Sequence, residues 1–181
     1  MIEVRFHGRG GQGAVTSAEL LALAAIIEGK YAQAFPSFGP ERRGAPVQAF
    51  VRTDDKPVRV RADIKEPDVV VVLDPGLLDI VNVTDGLKEN GTIIVNTRKS
   101  PEDIKAKYSN RWRVATVDAS TIARETIGVP IVNTTMLGAI LKVTNLVNMS
   151  WLEEPLNERF GDRAGRNLKT CQTAFERTQI A

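Results

Sequence analysis

Two short motifs hold the residue types that could bind a phosphate. The first, Gly8-Arg9-Gly10-Gly11-Gln12-Gly13, fits G-x-G-x-x-G and lies between a strand-like run at residues 2–7 and an apolar helix-like run starting at Ala14. In such a turn glycine permits positive φ and close backbone approach. The unpaired N–H groups of the first helical turn, with the helix dipole behind them, favour an anion. The second motif is the loop at residues 36–46, where Pro36, Pro40 and Pro46 exclude regular structure and Arg42 and Arg43 stand side by side. A guanidinium fork matches phosphate oxygens in a bidentate way.

The surroundings restrict the ligand. An NAD-type site wants an Asp or Glu at the end of the second strand, about 20 residues beyond the glycines, for the ribose hydroxyls. That strand ends here in Ala34-Phe35-Pro36, without an acid. A Walker loop is excluded too, because Gly13-Ala14-Val15-Thr16 lacks the lysine. Arginines at this strand end suit a ligand with an extra phosphate. NADP and coenzyme A both carry one, and the residues do not separate the two.

No catalytic set accompanies these motifs. The only histidine, His7, ends the first strand, where a hydrogen-bonded structural role is favoured over a ligand contact. Cys171, the only cysteine, has no neighbouring histidine and reads as a buried bystander; alone it excludes a cysteine-ligated cluster within this chain. Asp74 ends an apolar strand and either faces the ligand edge or caps its loop. Asn133, Thr134 and Thr135 read as a helix cap, Trp151 as a packing or subunit-contact residue, and Arg59 and Arg61 as a solvated hairpin face.

A chain of 181 residues, 43% hydrophobic and 25% charged, suits one soluble α/β domain spanning residues 1–181. A net charge of +2 is too small to argue for nucleic acid, no apolar stretch approaches a membrane span, and the opening run shows no signal peptide, so a cytoplasmic location is expected. Strand signals at residues 2–7, 31–35, 69–73, 92–96 and 113–117 alternate with helix signals, the first over residues 14–28 with Gly29 at its C-terminal cap. Residues 47–53 and 57–62 flank Asp54-Asp55-Lys56 and predict an antiparallel hairpin. Short helices are expected at residues 77–81 and 85–89, and Ser100-Pro101-Glu102-Asp103 is a strong helix start. A buried helix is expected over residues 136–147, a capping box at Ser150-Trp151-Leu152-Glu153, and two amphipathic helices beyond it. The pattern predicts a three-layer α/β/α, Rossmann-like fold with a mostly parallel sheet. Ligands bind such sheets at the carboxyl ends of the strands, so the glycine turn and the arginine loop are expected to share one edge.

Residues 8–13, taken with Phe38-Gly39-Pro40-Glu41-Arg42-Arg43-Gly44-Ala45-Pro46-Val47, closely resemble the gamma subunit of 2-oxoacid:ferredoxin oxidoreductases, nearest the pyruvate and 2-ketoisovalerate branch. The resemblance extends over the whole length, including the Asp74 turn and Asn133-Thr134-Thr135-Met136-Leu137-Gly138. It implies a subunit of an enzyme that oxidatively decarboxylates a 2-oxoacid, forms the acyl-coenzyme A and passes electrons to ferredoxin. It further implies that this chain helps to bind coenzyme A through Gly8, Arg9, Gly10, Gly11, Gln12 and Gly13, with Ser37, Arg42 and Arg43 from the loop. Thiamine diphosphate, Mg and the iron–sulfur clusters are then expected on alpha, beta and delta-type partner subunits. Two other readings compete: a free-standing NADP-dependent reductase, and a non-catalytic assembly subunit whose arginines meet acidic groups of a partner.

Overall fold

Alternation along the first strand, β1 (Ile2–Arg9), sends Val4 and Phe6 to one face of a sheet and Arg5 and His7 to the other. The computed structural model of the chain describes residues 1–37 and 43–181. After β1 comes α1 (Ala14–Ile27), which stops one residue short of expectation: Glu28 caps it and Gly29 turns away. The N–H groups of Gly29 and Lys30 bond back to the Ile26 and Ala25 carbonyls, the Schellman pattern of helix termination.

Strands β2 (Tyr31–Pro36) and β3 (Pro46–Asp54) follow, then β4 (Val69–Val72), β5 (Thr92–Asn96), β6 (Arg113–Val117) and the short β7 (Gln179–Ile180). Among the described residues they form one seven-stranded sheet in the order β2-β3-β1-β4-β5-β6-β7. The ladders joining β1, β4, β5 and β6 are parallel, while β3 runs antiparallel to both β1 and β2. Strands β1, β2, β4, β5 and β6 therefore point the same way, and the carboxyl ends of β1 and β2 lie on one edge of the sheet.

Helices cover both faces. One core packs Val4, Phe6, Val71, Ile94 and Ala115 against α1 and the helices α4 (Ala119–Ile127), α5 (Asn133–Thr144) and α7 (Ala164–Arg177). The opposite core sets Val70, Val72, Ile93, Val95 and Val114 against Leu77 of α2 (Leu77–Ile80), Ile104 of α3 (Pro101–Lys107) and Trp112. The three-layer arrangement is present, with a thin second layer. The Ser100 cap forms as expected, its hydroxyl accepting from Asp103 N–H at 3.2 Å, with Pro101 at the first helical position. No helix among the described residues is long and apolar enough to cross a membrane.

Four local expectations fail. Residues 57–62 form no strand and no hairpin arm. Both edges of β3 are already paired, to β1 and to β2, so no edge beside it is free for that segment. Arg59 and Arg61 are exposed on an extended segment held to β2 by the Gln33 amide, which donates to the Val58 carbonyl at 2.9 Å. Residues 85–89 form turns rather than a helix. The capping box at Ser150 is displaced by Asn148, whose side chain accepts from Ser150 N–H and so starts a 3-10 turn over Met149–Leu152; α6 (Glu153–Phe160) begins after it. Helix α5 begins three residues early, so Asn133, Thr134 and Thr135 form its first turn rather than its cap, which is Val132; it ends three residues early at Thr144, where Asn145 adopts a left-handed φ of 48°. Strand β7 escaped prediction, being two residues long. Trp151 is 41% exposed and is not part of the core.

Candidate functional site

Strands β1 and β4 are neighbours, yet β1 feeds α1 on one face and β4 feeds α2 on the other. That divergence is a topological switch point, where doubly wound sheets open a crevice beyond the strand ends. The glycine motif sits in it. Gly8 and Arg9 are still part of β1, so only the residues from Gly10 onward make the turn. Gly8 is buried, and a Cβ there would come within 3.2 Å of Leu73. Gly11 (φ 92°) and Gly13 (φ 80°) take the left-handed backbone that side chains disfavour. A Cβ on Gly13 would also collide with the Asn133 amide at 2.7 Å. Gly13 is the N-cap of α1, and among the described residues no side chain caps the helix, so the first-turn N–H groups lack a side-chain acceptor there.

The arginine loop does meet this turn. Gly10 and Arg43 form a parallel bridge; Gly10 N–H donates to the Ala45 carbonyl at 2.9 Å and Gly44 N–H to the Gly10 carbonyl at 3.2 Å. Arg43 is exposed along this seam. Ser37 lies at the other end of the loop, where its N–H donates to the Gln48 carbonyl at 2.9 Å and prolongs the β2–β3 ladder. Arg42 lies outside the described residues.

Arg9 and Gln12 act as braces. Arg9 Nε donates to Asp74 Oδ2 at 2.7 Å, and its Nη1 reaches the Gly44 carbonyl at 3.1 Å. Gln12 Oε1 accepts from Arg9 N–H at 2.7 Å, while Gln12 Nε2 lies 3.4 Å from the same Asp74 oxygen. Asp74 Oδ1 accepts from Gly76 N–H at 2.8 Å. Asp74 thus both caps its own loop and holds the glycine turn, and Arg9 carries the tie on to Gly44. Arg9, a phosphate candidate by sequence, spends much of its charge on that carboxylate, whereas Arg43 on the seam is solvent-facing.

Two residues passed over at the sequence level complete the edge. Asn96, at the end of β5, donates to the Leu73 carbonyl (2.9 Å) and to Ser120 Oγ (3.0 Å) and accepts from Ser120 N–H (3.3 Å). It joins β4, β5 and the start of α4 beside a cavity of about 380 Å³. The available signal was position: a polar residue ending a parallel strand, and a serine opening the following helix.

The remaining candidates are structural. His7 is buried and its Nε2 accepts from Arg5 Nε at 3.1 Å; burial, reinforced by the Arg5 charge, pushes its pKa down to about 3. Cys171 is fully buried, its thiol donates to the Thr134 carbonyl, and burial pushes its pKa up to about 12. Neither group is poised as a base or nucleophile. Asn133, Thr134 and Thr135 are buried at the start of α5. Thr134 bonds Asn167, Thr135 bonds Thr170, and the Asn133 carbonyl accepts from Ser17 Oγ at 3.0 Å.

Comparison with known proteins is consistent along the whole chain. The pyruvate ferredoxin/flavodoxin oxidoreductase family matches residues 3–177. The chain is 58% identical to the pyruvate/ketoisovalerate oxidoreductases common subunit gamma of Pyrococcus abyssi, over 99% of this chain and 98% of that one. It superposes with a TM-score of 0.89 and 37% identity on the crystal structure of pyruvate oxidoreductase subunit PORC from Thermotoga maritima, covering 99% of this chain and 98% of that one. It is also similar, at 20% identity and a TM-score of 0.78, to 30% of a chain of the 2-oxoglutarate:ferredoxin oxidoreductase from Magnetococcus marinus, covering 97% of this chain; that likeness shows the fold alone.

Proposed function

The chain belongs to the pyruvate ferredoxin/flavodoxin oxidoreductase family as a gamma-type subunit, and from that premise we propose that its share of the reaction is to bind coenzyme A. The observation that carries this reading is the seam between Gly10 and Arg43. It brings the backbone of the exposed Arg43 onto the glycine turn that leads into the N-terminus of α1, at a switch point. Both elements favour phosphate oxygens, one by charge and bidentate donation, the other by unpaired N–H groups and the helix dipole. Gly11 and Gly13 keep the backbone bare along the approach, and Arg9 and Gln12 hold the seam in shape; Ser37 and Arg42, from the same loop, are the further residues proposed for the phosphates.

Thiamine diphosphate, Mg and the iron–sulfur clusters belong, on this reading, to alpha, beta and delta-type partners, and ferredoxin takes electrons from the complex. Thiamine-bound chemistry on a partner supplies the acyl group. This chain fixes the nucleotide end of coenzyme A so that its thiol reaches that group. The contribution is entropic and positional, the kind of restraint that raises effective concentration without acid–base chemistry. The withdrawal of His7 and Cys171 from proton and nucleophile chemistry supports that division of labour.

Arg43→Ala in the assembled complex tests it. A charge-assisted hydrogen bond is worth about 1.5–3 kcal/mol, so the apparent KM for coenzyme A should rise roughly tenfold or more, with kcat at saturating coenzyme A little changed. An unchanged KM in an intact complex would support the assembly-subunit reading.

A further inference from the structure

Helix α1 is apolar on every side. Its run Leu20-Leu21-Ala22-Leu23-Ala24-Ala25-Ile26-Ile27 holds no polar side chain, the pattern of a helix covered all round. Yet Leu23 is 43% exposed and Ile26 49%, and with Glu19 they make one outward stripe. Residues 148–159 run antiparallel along this stripe. Asn148 N–H donates to Glu28 Oε1 at 2.9 Å, and Pro155 lines a groove of about 230 Å³ together with Leu20 and Leu23. Arg159 reaches Thr16 Oγ1 at 3.1 Å and Glu19 Oε2 at 3.5 Å. That register sets Trp151, itself 41% exposed, level with the Ile26 turn of α1. An indole and two aliphatic side chains on one side of the molecule have the composition of an interface centre, unlike hydrophobic residues scattered singly.

The charges beside the patch select its occupant. Glu19, Glu153, Glu154 and Glu158 are exposed on α1 and α6, and the only base on either helix, Arg159, is already engaged with Glu19. A second copy of this chain would bring the same acidic helices to the contact and no free base on them. A different chain with a basic border would answer the carboxylates. We propose that the patch of Leu23, Ile26 and Trp151 docks this subunit onto a partner subunit of the oxidoreductase, through an apolar face of the partner bordered by Lys and Arg. The dock covers the outer side of α1 and is independent of what the glycine turn binds.

Reconstitution of the complex from the full chain and its purified partner subunits, read by native mass spectrometry, tests the dock. Leu23→Ser with Ile26→Ser removes apolar surface where it is exposed. The purified variant should melt within a few degrees of the native chain, while its Kd for the partner subunits rises about tenfold or more. Glu153→Lys with Glu154→Lys leaves the patch intact and should weaken assembly severalfold at low salt, the difference shrinking at high salt. Assembly unchanged within twofold in the serine variant overturns the assignment, as does unchanged or tighter low-salt assembly in the lysine variant. A purified native chain that is a dimer, split by the serine pair, makes a second copy the occupant and overturns it too. Should the serine pair unfold the chain, the lysine pair decides alone, weaker low-salt assembly upholding the dock and unchanged assembly removing it.

Discussion

Two arginines four residues apart on β1 meet opposite fates. Arg5 is buried, donates to His7 Nε2 and to the Val83 and Asp85 carbonyls, and reaches no ligand edge. Arg9, where β1 leaves the sheet, is half-exposed and braces the Asp74 carboxylate and the arginine loop. The same side chain therefore serves the fold at one position and the site at the other. What decides is distance from the carboxyl end of the strand, not residue type. Arg5 pins the turn at Val83 and Asp85 against β1, whereas Arg9 ties the end of β1 to Asp74 and Gly44.

The comparison breaks first, and most visibly, at Arg5. Arg5→Ala strands two carbonyls and a histidine nitrogen in a buried setting and should cost about 3 kcal/mol. For a chain of this size that is a fall in melting temperature on the order of 10 °C, read by thermal unfolding of the purified subunit. The KM for coenzyme A should stay the same in whatever complex assembles; a raised KM would join Arg5 to the site.

His7 gives the next effect, through pH. Its pKa is lowered to about 3 in the folded chain and returns to an ordinary 6.5 on unfolding. The neutral form is the folded one, so this contribution to stability is complete above pH 6.5. It is lost as pH falls from there toward 3, at up to about 1.4 kcal/mol per pH unit. Urea midpoints measured across that window should fall more steeply for the native sequence than for His7→Gln. Parallel curves would mean that His7 is not held neutral.

Arg9 gives the smallest change in stability and the sharper change in function. Arg9→Ala removes a partly exposed ion pair worth about 1 kcal/mol or less. It also frees Gly44 from its brace, and should raise the KM for coenzyme A severalfold. A double substitution with Asp74→Ala should add little to either effect, because the two residues act as one clasp.

How far the sequence foretold this arrangement follows from the same contrast. The parallel core strands β4, β5 and β6 were legible because apolar runs of that length, ended by Asp74, Asn96 and Asp118, permit few alternatives. The shared edge of glycine turn and arginine loop was legible from strand direction alone. The 57–62 hairpin arm misled because alternation of Val58 and Val60 with arginines describes a local preference, while pairing depends on which edges are free. Once β3 lies between β1 and β2, none is free beside it. The brace of Arg9 on Asp74 was hidden for a related reason: the partners are 65 residues apart and meet only because β4 lies beside β1.

The central claim is that coenzyme A phosphates rest on the turn before α1 and on the Gly10–Arg43 seam. Hydrogen–deuterium exchange of the assembled complex, with and without coenzyme A, tests it most directly. Bound coenzyme A is expected to slow exchange at the amides of residues 11–16 and 43–45 and to leave the backbone of α7 unaffected. Protection confined to partner subunits, with these amides unchanged, would contradict it.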